Sequence, residues 1–421
     1  MSDLEVKISS AKDLVSSNPE EAVSILSAII DDNTSNSDVL KHKETVVSNL
    51  CDLFVLLNNA EGLKSLLPKL RDFFSVIPKA KTAKIVRNII DSLSKIPNSE
   101  KLQVEVCKEQ IEWAKSQKRT FLKQRIELRL ATLYLDIKEY QLSLGIISSL
   151  TSEVKRLDDK LLLVDIHLLE SKVHHRLRSI GRARAALTAA RTAANSIYVP
   201  VPLQAEIDCQ SGILHAEERD FKTAYSYFFE AFEQLSALDE ERAVRVLKYM
   251  LLCKVMLDQS DEVPAVIGSK AGLRFAGPEV DAMRAVAQAH RERSLKNFQE
   301  VLGQFKKELV EDVIVDSHLS ALYDNLLEQN LERLIEPFSR VEIAHLSELI
   351  ELDQAVVEKK LSQMILDKKL LGTLDQGAGC LEIFEPPSHG VSNAYSTSLR
   401  IIENLERVVE TLAARSQKVY A

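Results

Sequence analysis

Pro337–Pro387 reads PFSRVEIAHLSELIELDQAVVEKKLSQMILDKKLLGTLDQGAGCLEIFEPP, and its punctuation decides how the C-terminal part folds. Ser339 and Glu342 have capping-box spacing, with Phe338 and Ile343 as a hydrophobic staple, so a helix is expected to open here. Ile343, Leu346, Leu349 and Ile350 give it one apolar face, beside which His345 is expected to pack. Asp353 starts a second helix, stapled by Leu352 and Val357, with Val357, Leu361, Met364 and Ile365 facing one way. Lys368 and Lys369 suit its negative end, and Gly372 the left-handed residue that stops it. Thr373–Gln376 and Cys380–Glu385 predict two short strands around Gly377-Ala378-Gly379. Helix, turn, helix and hairpin make a winged helix.

That shape suggests DNA binding. The charge opposes it: five basic residues stand against nine acidic ones between Pro337 and Pro387, and a phosphate backbone needs the opposite sign. The module is therefore expected to meet protein. Its candidate contact is the strand holding Cys380, Leu381, Glu382, Ile383 and Phe384, expected to leave an unpaired edge that a neighbour extends.

The rest of the chain agrees with a protein-facing role. Its 421 residues contain only 12 Gly and 11 Pro at 45% hydrophobic content, a helix-rich globular composition. A net charge of −8 offers no general attraction to nucleic acid or anionic lipid. Five scattered cysteines without a CxxC pair read as buried thiols in a reducing compartment. No secretory signal opens the chain, and its longest aliphatic run, Leu161–Val164, is far short of the roughly 20 residues that span a bilayer. A soluble intracellular protein with no membrane contact is expected.

Residues 3–30 read as a helical pair, Asp31–Asp38 as a loop, and Pro68, Pro78 and Pro97 as helix joints. From about Arg125 the pattern repeats. Lys138-Glu139-Tyr140, Ser179-Ile180-Gly181 and Arg219-Asp220-Phe221 are equivalent turns between amphipathic helices, a period of about 40 residues. One helix pair cannot bury both apolar faces, so pairs must stack into a solenoid. The fold class is mostly α: a right-handed, TPR-like helix-pair solenoid over 1–277, then a module over 278–387 with a helical part (278–336) and the winged helix (337–387). Glu279–Glu308 and Ile314–Glu336 are read as long helices. One long helix ends the chain, within 388–421. Ile401, Leu405, Val408 and Leu412 recur on it at coiled-coil spacing, a seam for a bundle with other chains unless the helix folds back on its own domain.

No phosphate loop, nucleotide fingerprint, nucleophile elbow or zinc-protease motif occurs, so neither catalysis nor a cofactor or metal is expected. Glu170, His174 and His175 share a helix but lack the further ligands a metal needs. Lys118, Arg119 and Arg125 make one helix locally basic, either a solvated face or a docking surface.

Several long blocks together carry a resemblance: RTFLKQRIELRLATLYLDIKEY (Arg119–Tyr140), KRLDDKLLLVDIHLLESK (Lys155–Lys172), AALTAARTAANSIYVP (Ala185–Pro200), HAEERDFKTAYSYFFEAFE (His215–Glu233) and LKYMLLCK (Leu247–Lys254), with the winged-helix stretch. They resemble the solenoid-plus-PCI subunits of the proteasome regulatory lid. The PCI family also serves the COP9 signalosome and initiation factor three. The likeness covers nearly the whole chain, least before about residue 40 and across 386–400. It implies a non-catalytic scaffold and clamp in the cytoplasm and nucleus. Other PCI lid subunits would be met through the winged helix, the lid helical bundle through the C-terminal helix, and a core-particle α subunit and the ATPase ring through the solenoid. A PCI scaffold of the signalosome or of initiation factor three, and a winged-helix nucleic-acid-binding protein, are the alternatives.

Overall fold

The computed structural model describes residues 19–31, 37–97, 99–238, 241–310, 312–350, 352–375, 377, 379–384 and 389–420. The helix expected over residues 3–18, the middle of the loop expected over Asp31–Asp38, and Gln376, Ala378 and Glu385 of the expected hairpin lie outside them, while Asp31, Ser37 and Asp38 are helical. The chain divides into two compact units, one up to Val246 and one from Leu247 on.

The first unit runs through α1 (Pro19–Asp31), α2 (Ser37–Leu56), α3 (Ala60–Lys69), α4 (Arg71–Val76), α5 (Lys79–Ser94), α6 (Glu100–Ser116), α7 (Thr120–Asp136), α8 (Tyr140–Leu157), α9 (Lys160–Arg176), α10 (Ile180–Ala194), α11 (Val201–Glu217), α12 (Phe221–Ala237) and the start of α13 (Arg242–Met256). The three equivalent turns fall where the sequence puts them, before Tyr140, Ile180 and Phe221. They share one closing device. Lys138, Arg178 and Arg219 take φ of 71°, 58° and 64°. The next N–H reaches five residues back, Glu139 to Tyr134 O (2.8 Å), Ser179 to His174 O (3.0 Å) and Asp220 to His215 O (3.0 Å). This is a Schellman closure built without glycine, each left-handed residue costing about 1–2 kcal/mol.

Small residues sit at equivalent crossings within each pair. Ala131 faces Ser143, whose hydroxyl donates to Ala131 O at 2.9 Å. Ser171 and Ala183, then Gly212 and Ala224, stand at the same repeat positions, all buried. Larger side chains would hold the helices apart. The core passes along the unit from a cluster including Leu26, Leu50 and Ile89, to one around Ile147 and Leu169, to one around Ile207 and Leu214. That serial arrangement is what stacking repeats produce. Within it α7 packs on α9 and α9 on α11 more closely than α8 on α10 or α10 on α12. So α7, α9 and α11 line the inside of the curve.

The second unit contains the rest of α13, a 3-10 turn (Ser260–Glu262), α14 (Val263–Ile267), α15 (Lys270–Arg274), α16 (Pro278–Glu292), α17 (Leu295–Gln304), α18 (Lys306–Val310), α19 (Val313–Ile335), β1 (Arg340–Glu342), α20 (Ile343–Ile350), α21 (Gln354–Leu366), β2 (Gly372–Asp375), β3 (Cys380–Ile383) and α22 (His389–Tyr420). The long helix expected over Glu279–Glu308 is broken at Arg293, which turns left-handed (φ 51°), and Ser294 caps the next helix at Asn297 N. Buried Lys248 gathers this helical part: its ammonium lies 3.1 Å from Glu279 and donates to Glu308 O at 3.2 Å. Tyr249 OH donates to Asp312, which also caps α19 at Ile314 N.

The winged helix departs from expectation in three places. Arg340-Val341-Glu342 is a strand, not a capping box, because its exposed–buried–exposed alternation lets Val341 pair with Leu381. The left-handed stop after α21 is Lys368 (φ 58°), while Gly372 lies in β2, where a Cβ would come 2.5 Å from Glu382 O. His345 is exposed rather than packed, since only Ile343 and Leu346 of α20 are buried. Asp353 stands at the N-cap of α21 but makes no side-chain cap bond. Glu328 of α19 ties the helical part to the wing, accepting from Lys369 and lying 3.0 Å from Lys360.

Candidate partner interfaces

The sheet order is β1-β3-β2, all antiparallel, so β3 is central. This corrects the expected open edge at Cys380–Glu385. Both sides of β3 are taken: Ile383 N donates to Ser339 O at 2.9 Å and Phe384 N to Leu371 O at 2.8 Å. Cys380 and Leu381 are buried, Ile383 is half-buried, and Glu382 and Phe384 are exposed. The open edges belong to β1 and β2. Because Ser339, Val341 and Ile343 bond towards β3, the N–H groups of Arg340 and Glu342 point away from the sheet.

The terminal helix carries the second surface. At 32 residues, α22 is about 48 Å long. Ile401, Leu405, Val408 and Leu412 are 55%, 58%, 52% and 59% exposed, so the seam read from sequence faces water. Burial of such side chains stabilises by roughly 1.5–3 kcal/mol each.

The basic residues singled out in the solenoid are not brought together. Lys118 is the exposed left-handed turn residue before α7. Arg119 is committed to its own fold: its guanidinium lies 4.9 Å over Trp113 and donates to Phe74 O at 3.1 Å, and burial pulls its pKa down. Arg125 is half-buried on α7.

One constellation resembles catalytic machinery. Ser260 Oγ lies 2.8 Å from His290 Nδ1, and His290 Nε2 lies 3.3 Å from Asp258. Ser260 and His290 are each 7% exposed, and burial keeps His290 from protonating as readily as a free imidazole. The three tie the turn after α13 to α16. His167 bonds Glu170 at 2.9 Å, and His175 lies 3.4 Å from Glu217. No group of three or more metal-ligating side chains gathers among the described residues. Burial pushes the Cys51, Cys107 and Cys253 thiols up to about 12, which suits inert core residues. No described helix is long and apolar enough to cross a membrane.

Two family patterns match the chain: the 26S proteasome regulatory subunit RPN6 N-terminal domain over residues 4–137 and the PCI domain over residues 298–385. The chain is 59% identical over 402 residues to an Arabidopsis thaliana protein named 26S proteasome non-ATPase regulatory subunit 11 homolog, covering 96% of each. It is 48% identical to a Schizosaccharomyces pombe protein named probable 26S proteasome regulatory subunit rpn6, again covering 96% of each. It is 44% identical to the Saccharomyces cerevisiae 26S proteasome regulatory subunit RPN6, covering 93% of this chain and 90% of that one.

Proposed function

The chain belongs to the 26S proteasome non-ATPase regulatory subunit 11 (RPN6) family, and from that we propose that it is a non-catalytic scaffold and clamp of the regulatory lid. In this reading it joins the lid to the ATPase base and the core particle for ubiquitin-dependent degradation, in cytoplasm and nucleus. Other PCI subunits dock on the winged helix, where β1 and β2 offer open edges. The terminal helix enters the lid's helical bundle, and the solenoid meets a core-particle α subunit and the ATPase ring.

The observation that carries the reading is the exposed seam of α22. A free helix gains nothing from an apolar stripe in water, whereas a subunit of a helical bundle needs one. Removing Ile401–Ala421 is expected to leave a folded chain that no longer enters the lid, read by native gel after reconstitution with the other lid subunits. Full incorporation of the truncated chain would overturn the reading.

A further inference from the structure

The inner helices of the solenoid hold cations whose side chains are left without a bonded partner inside the fold. Arg125 and Arg129 project from α7 and Arg176 from the end of α9. None of the three guanidinium groups makes a hydrogen bond or an ion pair within 4 Å to a described residue. Arg125 and Arg129 are half-buried, and Arg129 Nε is shut off from solvent with no acceptor. A sequestered guanidinium N–H without a partner is uncommon, because desolvation is then uncompensated.

Their neighbours do not supply the missing acceptors. Glu206 of α11 is already held by Lys172 at 3.0 Å and Arg242 at 2.6 Å. Asp165 feels Arg125 and Lys172, and Asp136 feels Arg129 and Arg176, yet neither makes a bond to them and burial raises both pKa values. Lys172 and Arg242 are thus taken by Glu206, while the guanidinium groups of Arg125, Arg129 and Arg176 make no bond to a described residue. The repeat alternates the sign of these positions: Arg125 is matched by Asp165 and Glu206 in successive repeats, and Asp136 by Arg176. The inside of a helical solenoid is also where such folds hold extended ligands.

We infer that the inner face of α7, α9 and α11 is a docking groove for an acidic, extended segment of another protein, its carboxylates taken by Arg125, Arg129 and Arg176. Guanidinium forks match carboxylates two bonds at a time. The interspersed Asp136, Asp165 and Glu206 interrupt the positive surface, which suits spaced carboxylates and disfavours a continuous phosphate chain. The inference is independent of the assembly role proposed above.

Fluorescence anisotropy of the full chain with a fluorescein-labelled peptide of alternating Asp and Glu tests it. Saturable binding is expected, weakened about tenfold or more by Arg129→Ala with Arg176→Ala. Arg156→Ala with Arg182→Ala removes the same charge from outer helices α8 and α10 and is expected to change binding less than about twofold. Circular dichroism checks that helicity is kept. If the double variant unfolds, exposed Arg176→Ala alone is expected to show the loss in a folded chain. Absence of saturable binding, equal weakening by inner and outer variants, no loss with folded Arg176→Ala, or displacement of the peptide by polyuridylate as efficiently as by unlabelled peptide would each overturn the proposal.

Discussion

Asp165 shows how a single carboxylate sets a pH dependence. Burial raises its pKa to about 6, although Arg125 opposes the shift. The folded value therefore lies above the roughly 3.9 of an unfolded aspartate, so stability is fullest below that value and is lost as pH rises through about 6. Asp165→Asn is expected to melt higher than the parent at pH 7.5, with the gap closing towards pH 4, in thermal unfolding followed at both pH values. A gap that stays constant would show that the carboxylate is compensated. Gly212 is the complementary steric case. A Cβ there would lie 2.7 Å from the ring of Phe228, itself 1% exposed. Gly212→Val is expected to cost about 1–3 kcal/mol by overpacking, read from denaturant unfolding. A change below the error of the melt would mean that the ring moves freely.

Among the elements, the wing separates what local sequence encodes from what closure decides. The helix-pair period, the turns before Tyr140, Ile180 and Phe221, and the terminal helix were all legible, because each rests on residues near one another in the chain. β1 was not. Three residues are too few to establish a period of two, and Ser339 with Glu342 mimics a helix start. The central place of β3 was equally hidden, since strand order depends on β1 returning across the sheet from 40 residues away in pairs such as Val341 with Leu381. The basic site was read from neighbours in sequence, Lys118, Arg119 and Arg125. The structure instead sets Arg125 on a helix face whose repeat-equivalent positions hold Asp165 and Glu206, a relation the 40-residue period already contained. The revised strand order also moves the expected lesion. Arg340→Pro removes an outward N–H and leaves the β1–β3 bonds intact, so it is expected to keep the fold and weaken assembly if β1 is the docking edge. Incorporation at parental levels in a native gel would exclude β1.

Taken as a whole, the first unit has a core laid down in series. A defect should therefore spread to adjoining repeats and fade beyond them. Ile147→Ala, at a position 2% exposed, is expected to cost about 2–5 kcal/mol. Hydrogen exchange should rise in α8 and α9 while α2 and α5 keep their protection. Uniform acceleration through the unit would show all-or-none cooperativity instead. The second unit is fastened differently, by buried ionic ties at Lys248 and Glu328. Burial alone would raise the Glu328 carboxyl, but hydrogen bonds from Lys369 and Lys360 overrule it and hold the pKa low. That contribution is present above the ordinary glutamate range and fails as pH falls through the folded value.

The terminal helix also bears on how much of this protein a cell can hold. In the proposed bundle, Ile401, Leu405, Val408 and Leu412 would be hidden only when other chains cover them, and each copy made beyond its partners' supply would display the mark that chaperones and degradation signals read, a stretch of greasy helix in water. On that reading the stripe would act as a counter of subunit balance: surplus copies would identify themselves, and the assembled ones would be silent.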